Sequence, residues 1–224
     1  MSDLRLVVFD VDGTLIDSQD FILMAMARAF SLAGFPAPNK ADVLAIVGLS
    51  LDKAVAVLVP ELDAAENQRA VALYRQAFID LRAELGGEAK APLYPGARAA
   101  LDRLHKIDNM LLGVATGKAR RGLDHAYESH GIGHFFVTSQ TADFHPSKPH
   151  PAMLQQAMRD TGVNAAQAVM VGDTEYDMEM GRAAGFATIG VSWGYHPRSR
   201  LGAADVIIND FAELDAALQN IWKG

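Results

Sequence analysis

Residues 4–14 read Leu4-Arg5-Leu6-Val7-Val8-Phe9-Asp10-Val11-Asp12-Gly13-Thr14, an apolar, largely branched run that stops abruptly at two aspartates and a Gly-Thr turn. The run has strand length, and it is too short for a signal-peptide core or a membrane span. Similar runs recur at 111–115, 135–138, 168–171, 188–191 and 206–208. Helix-like stretches at 97–106, 122–130, 151–161, 176–184 and 211–222 separate or follow them. Strand and helix in alternation predict an α/β fold, a doubly wound parallel sheet with helices on both faces. The segment 17–85 breaks the alternation with three long helical patterns and no strand, so it reads as an all-helical insertion. Its exit, GGEAKAPLYPG at 86–96, has linker composition, and the first hinge is expected just after Thr14. The expected division is therefore 1–16 with 87–224 as the core and 17–86 as the inserted domain.

In an open α/β sheet, ligands bind beyond the carboxyl ends of the strands. The first run ends at Asp10 and Asp12, the second at ATGK (Ala115 to Lys118), and the fourth at VGDTEYD, which holds Asp173 and Asp177. Lys148 lies in the loop after the third run. Carboxylates suit Mg²⁺, an ion that takes one or two protein carboxylates together with substrate phosphate. Lys148 and Thr116 offer donors to phosphoryl oxygens, an aspartate can attack phosphorus directly, and a second carboxyl group can protonate the leaving oxygen and then activate water. Asp10 and Asp12 could divide those two roles. DGT alone is a common turn or helix-entry signal; the four motifs in this order, each at a strand end, are what point to a site.

The quartet resembles the haloacid dehalogenase superfamily, and the helical insertion resembles its first cap class, found in phosphoglycolate phosphatases and their relatives. The resemblance spans essentially the whole chain. It implies a Rossmann-like core, Asp10 as nucleophile, Asp12 as general acid/base, and Thr116 and Lys148 as phosphate-holding residues. It also implies Mg²⁺ held by Asp10, the Asp12 backbone carbonyl and Asp173, with Asp177 supporting the metal shell or Lys148. Gly117, Lys118 and the cap residues Leu49 and Ser50 are expected to meet the substrate. Asp12 argues against a dehalogenase, which lacks that residue, and fits poorly with the phosphonate-cleaving branch, whose cap lysine would here be Lys40 or Lys53. A phosphosugar mutase is the nearest competitor, but the cap stretch VGLSLD at 47–52 lacks the basic residue expected to grip a second phosphate. The substrate implied is a small phosphomonoester, 2-phosphoglycolate first, although pyrophosphate or a nucleotide monophosphate would satisfy the same electrostatics.

The formal charge of −7, with no basic stripe interleaved with aromatics, excludes a typical nucleic-acid binder. With no cysteine there is no disulfide, thiolate metal site or cysteine nucleophile, and a cytoplasmic setting is expected. Lys118, Arg120 and Arg121 form a local basic group, which reads either as an anion subsite or as a solvated helix start. GVSWG at 190–194 fits a nucleophile elbow on Ser192, but no His follows the later acids to complete a triad. GVATGKA at 113–119 is one residue too short between its glycines for a P-loop, and Gly131 and Gly133 separate His130 and His134 too loosely for a helical zinc pair. A non-catalytic binding module would be expected to have lost a member of the quartet, and none is missing.

Overall fold

The computed structural model describes residues 4–85 and 91–223. Six strands form one sheet: β1 (Arg5–Phe9), β2 (Met110–Thr116), β3 (Phe136–Thr141), β4 (Ala168–Gly172), β5 (Ala187–Val191) and β6 (Val206–Ile208). Their order is β3-β2-β1-β4-β5-β6 and every pairing is parallel, so the doubly wound expectation holds. Strand β1 is central. Its side chains alternate between faces: Val7 and Phe9 enter one apolar cluster, Leu6 and Val8 the other, which is why the run reads as continuously hydrophobic. Helices α5 (Ala97–His105) and α9 (Leu214–Lys223) cover the first face, and α7 (Ala152–Thr161) and α8 (Glu175–Ala184) the second. The helix α6 (Arg120–His130) begins four residues after β2.

Strand β3 runs three residues past its expected end at Thr138. Gln140 and Thr141 are polar yet buried: the Gln140 amide donates to Thr138 Oγ1 and Asp160 Oδ2, both at 2.7 Å, while the Thr141 hydroxyl is buried without a hydrogen-bond partner.

The segment expected to hold three long helices holds four, two of them short: α1 (Gln19–Ala33), α2 (Lys40–Ala45), α3 (Leu51–Leu58) and α4 (Ala64–Leu85). Local caps explain the breaks. Asn39 accepts from the Asp42 N–H at 2.9 Å to start α2. Asp63 accepts from the Ala65 and Glu66 N–H groups at 2.9 and 2.8 Å, while the Glu66 carboxylate accepts from the Asp63 N–H at 3.0 Å, a reciprocal cap that starts α4. These helices own a separate apolar cluster built on Ile22, Met26, Phe30, Val43, Ile46, Val47 and Ala54. They also reach the core, where Phe21, Ala25, Ala77 and Leu81 join the main cluster.

The two connections to the inserted helices run side by side: the Asp17 N–H donates to Pro92 O at 2.8 Å and the Tyr94 N–H to Leu15 O at 2.9 Å. The chain is thus still tied to the core three residues beyond Thr14. Residues 86–90 of the expected linker lie outside the described residues.

Candidate active site

The sheet delivers the quartet to one place. Asp10 follows the last residue of β1 and is 1% exposed; Thr116 closes β2 and is equally buried; Asp173 follows β4; Lys148 comes from the loop after β3. Lys148 is completely buried and donates to Asp10 Oδ1 and to Asp177 Oδ1, each at 2.6 Å. Asp177 also caps α8, its other oxygen accepting from the Thr174 N–H at 3.0 Å and the Thr174 hydroxyl at 2.6 Å. One carboxylate therefore fixes a helix start and a buried ammonium together. Such a charge is retained in the interior only because it is paired and hydrogen-bonded on both sides.

Asp173 is held by two neutral donors. Thr14 Oγ1 donates to one oxygen at 3.0 Å and the Tyr195 N–H to the other at 2.8 Å. The turn after β1 must pass close to it: Gly13 has φ +95°, and a β-carbon there would lie 2.2 Å from Asp173 Oδ2. Only glycine satisfies both requirements.

Carboxylate oxygens of Asp10, Asp173 and Asp177 lie within 4.8 Å of one another, and Asp10 Oδ2 is buried with no hydrogen-bond partner. One ammonium faces three acids. Burial, opposed by Lys148 and aided by the Asp177 charge, pushes the Asp10 carboxyl up to about 7. Burial and the charges of Asp10 and Asp177 raise Asp173 well above the ordinary carboxylate range. Burial works against the Lys148 ammonium, but the two carboxylates outweigh it and hold its pKa above the usual lysine value. The set is thus deficient in positive charge, and its orphan oxygen is of the hard type that a small divalent cation takes.

Asp12 sits apart from that trio. Its Oδ1 accepts from the Ser18 hydroxyl at 2.6 Å and its Oδ2 pairs with Lys118 Nζ at 2.9 Å. Ser18 is further bound to Tyr195, whose hydroxyl accepts from the Ser18 N–H at 3.0 Å. Tyr195 thereby touches Asp173 through its backbone and the Asp12 partner through its phenol, and the neighbouring Trp193 donates to Thr14 O at 3.1 Å. Neither Ser18 nor Tyr195 stood out in the sequence. The two are 177 positions apart, and they meet because the segments after β1 and β5 leave the sheet at the same edge.

Asp10, Asp12, Thr116, Gly117, Lys118, Leu49 and Ser50 all line one cavity of about 410 Å³ beneath the inserted helices. Lys148, Asp173 and Asp177 lie buried behind Asp10. The inserted loop is seated on the core: a β-carbon at Gly117 would lie 2.6 Å from the carbonyl oxygens of Gly48 and Leu49, and the Ser50 N–H donates to Ser147 Oγ at 2.8 Å. The basic trio divides. Lys118 turns to Asp12, Arg120 pairs with Asp124 at 2.8 Å, and Arg121 lines the cavity. Ser192 bonds Asn209 at 3.0 Å and no helix starts directly after it, so the elbow geometry is not met. No helix among the described residues is long and apolar enough to cross a membrane.

The curated relatives match end to end. A protein described as "probable phosphatase IndB" from Dickeya dadantii (strain 3937) is 35% identical over 222 residues, spanning 97% of this chain and 95% of its own. A phosphoglycolate phosphatase of Vibrio parahaemolyticus is 30% identical over 220 residues, 95% of each chain. With that fold, that pocket and relatives of that kind, the chain is a phosphatase. A solved haloacid dehalogenase-like family hydrolase from Streptococcus pneumoniae superposes with a TM-score of 0.82 at 26% identity, covering 98% of this chain and all of its own. The family model for haloacid dehalogenase-like hydrolases matches residues 7–191, and the chain belongs to that family.

Proposed function

We propose that the chain hydrolyses a small phosphomonoester in two steps through a phosphoryl group carried on Asp10, with 2-phosphoglycolate the first substrate to test. The observation that carries this reading is the buried Lys148 ammonium bridging Asp10 and Asp177 at 2.6 Å. It favours the charged form of the Asp10 carboxylate against the burial that raises its pKa to about 7, and it fixes that side chain at the floor of the cavity. In the first step an Asp10 oxygen bonds to phosphorus as the ester oxygen leaves, and Asp12 gives that oxygen its proton. In the second, Asp12 takes a proton from water, which attacks the same phosphorus; the bond to Asp10 breaks and inorganic phosphate is released. Ser18 and Lys118 orient Asp12 for both transfers. Thr116 and Gly117 close the phosphate end of the cavity.

Asp10 and Asp173, with the Asp12 backbone carbonyl, are the groups that would hold Mg²⁺, and Asp177 would stand behind them through Lys148. When bound, the ion offsets repulsion between the attacking carboxylate and the phosphate. The unpartnered Asp10 oxygen and the surplus of acids support this fit.

Two results are expected. Phosphate release from 2-phosphoglycolate should require Mg²⁺ and stop on exhaustive chelation; turnover that persists without divalent ions would refute the scheme. Thermal denaturation gives a second readout that does not need activity. The folded pKa of Asp10 is raised from 3.8 to about 7, so its contribution to stability is complete below about 3.8 and lost as pH rises through about 7. The melting temperature in chelator should therefore fall between pH 5 and pH 8, and Mg²⁺ should raise it more at pH 8 than at pH 5. An equal gain at both values would detach the ion from these carboxylates.

A further inference from the structure

The cavity is larger and more apolar than a two-carbon acid ester can use. At about 410 Å³ it falls in the range that encloses drug-sized organic molecules, about 300–1,000 Å³. Away from Asp10 its wall is made by Met26 on α1 and by Tyr74, Phe78 and Ile79 on α4. Ile79 is 39% exposed, a large side chain left partly uncovered beside a site. 2-Phosphoglycolate has almost no apolar surface to place there, so this wall would contribute little to binding it.

The charges are also arranged in two tiers. Lys118 is spent on Asp12 near the floor. Arg75 from α4 and Arg121 from α6 line the same cavity and are exposed, and among the described residues neither makes an ion pair or hydrogen bond. Of these two, Arg75 comes from the inserted helices and Arg121 from the core; Arg82 of α4 also lines the cavity, its guanidinium 5.3 Å from the centre of the Phe78 ring. Unpaired guanidinium groups flanking a pocket favour a carboxylate or phosphate.

We propose that the favoured leaving group has a ring-sized apolar body and a second anion at the end remote from the scissile phosphate. The body lies against Met26, Tyr74, Phe78 and Ile79, and the anion meets Arg75 and Arg121. The assignment rests on the preceding reading that Asp10 marks the phosphate end.

The test uses phenyl phosphate, 4-carboxyphenyl phosphate and 2-phosphoglycolate as probes. Calorimetric affinities are measured on the full-length Asp10→Asn protein with Mg²⁺, and phosphate release is measured on the native protein. 4-Carboxyphenyl phosphate should bind at least about tenfold tighter than either of the others, the scale on which one or two well-buried groups discriminate. Replacing both Arg75 and Arg121 with Ala should bring its affinity down to that of phenyl phosphate. Tightest binding of 2-phosphoglycolate, or an advantage for the carboxyl group that survives the double substitution, would overturn the proposal. The proposed binding order with no phosphate released from any probe would uphold this pocket assignment and remove the hydrolytic reading. Fast release confined to 2-phosphoglycolate would do the reverse.

Discussion

Asp10→Asn is expected to abolish turnover, by a factor on the order of 10⁴ or more, while the protein folds as before. The side chain keeps its shape and can still accept the Lys148 hydrogen bond, but an amide cannot serve as the anionic nucleophile. Stability should not suffer in proportion. The carboxyl at this position is driven up to about 7 by burial, with Lys148 opposing and Asp177 adding, so in the metal-free protein its ionisation works against folding at higher pH. The variant lacks that ionisation. Its melting temperature in chelator at pH 8 should be no lower than that of the native protein, and the fall between pH 5 and pH 8 should be smaller. The decisive measurement pairs steady-state phosphate release with denaturation curves at the two pH values. Loss of activity accompanied by loss of the folded baseline would mean that Asp10 supports the structure and would leave its chemical role unsupported.

Lys148→Met should damage both properties at once. Methionine fills the space but strands Asp10 and Asp177, which the ammonium bridges in a fully buried pocket. Breaking a buried pair by removing one partner typically costs about 3–5 kcal/mol, because the remaining charge is uncompensated. In a chain of this size that corresponds to a fall of roughly 6–20 °C in melting temperature. The sign of the pH dependence is specific. The stranded Asp10 carboxyl, which burial already raises to about 7 with the ammonium in place, can be neutralised by a proton, so the deficit should be largest at pH 8 and shrink as pH falls through about 7. Activity should drop on the order of 10³-fold, since the ammonium that positions the proposed nucleophile Asp10 is lost. A variant as stable as the native protein at pH 8 would show that the ammonium is not what holds these acids in place.

The strands were legible because the central ones are buried on both faces, and such strands announce themselves as unbroken apolar runs. β3 is the instructive failure. Gln140 extends it through a bond to Asp160, a partner 20 positions away, and no local pattern marks a polar residue as buried. The quartet was legible for a related reason: parallel strands put their carboxyl ends on one edge, so residues distant in the chain could be placed together by counting strands. Side-chain partners do not follow from that geometry. That Lys118 would turn to Asp12 while Arg121 faces the cavity depends on where the first turn of α6 points. That Tyr195 would reach Ser18 depends on a loop after β5 with no periodicity to read. In the inserted segment the apolar spacing indicated helix, but the breaks at Asn39 and Asp63 are set by single capping side chains, which a search for long helical patterns passes over.

The inserted helices keep an apolar cluster of their own, from Ile22 and Met26 through Phe30 to Val43 and Ala54, while the acids and the ammonium hang from the ends of the sheet. Side chains of that smaller cluster can be exchanged without touching the sheet, whereas Phe21, Ala25, Ala77 and Leu81 pack into the main core. Innovation here is cheapest in residues 19–85, and a laboratory search for altered substrate preference should find most of its successful variants there.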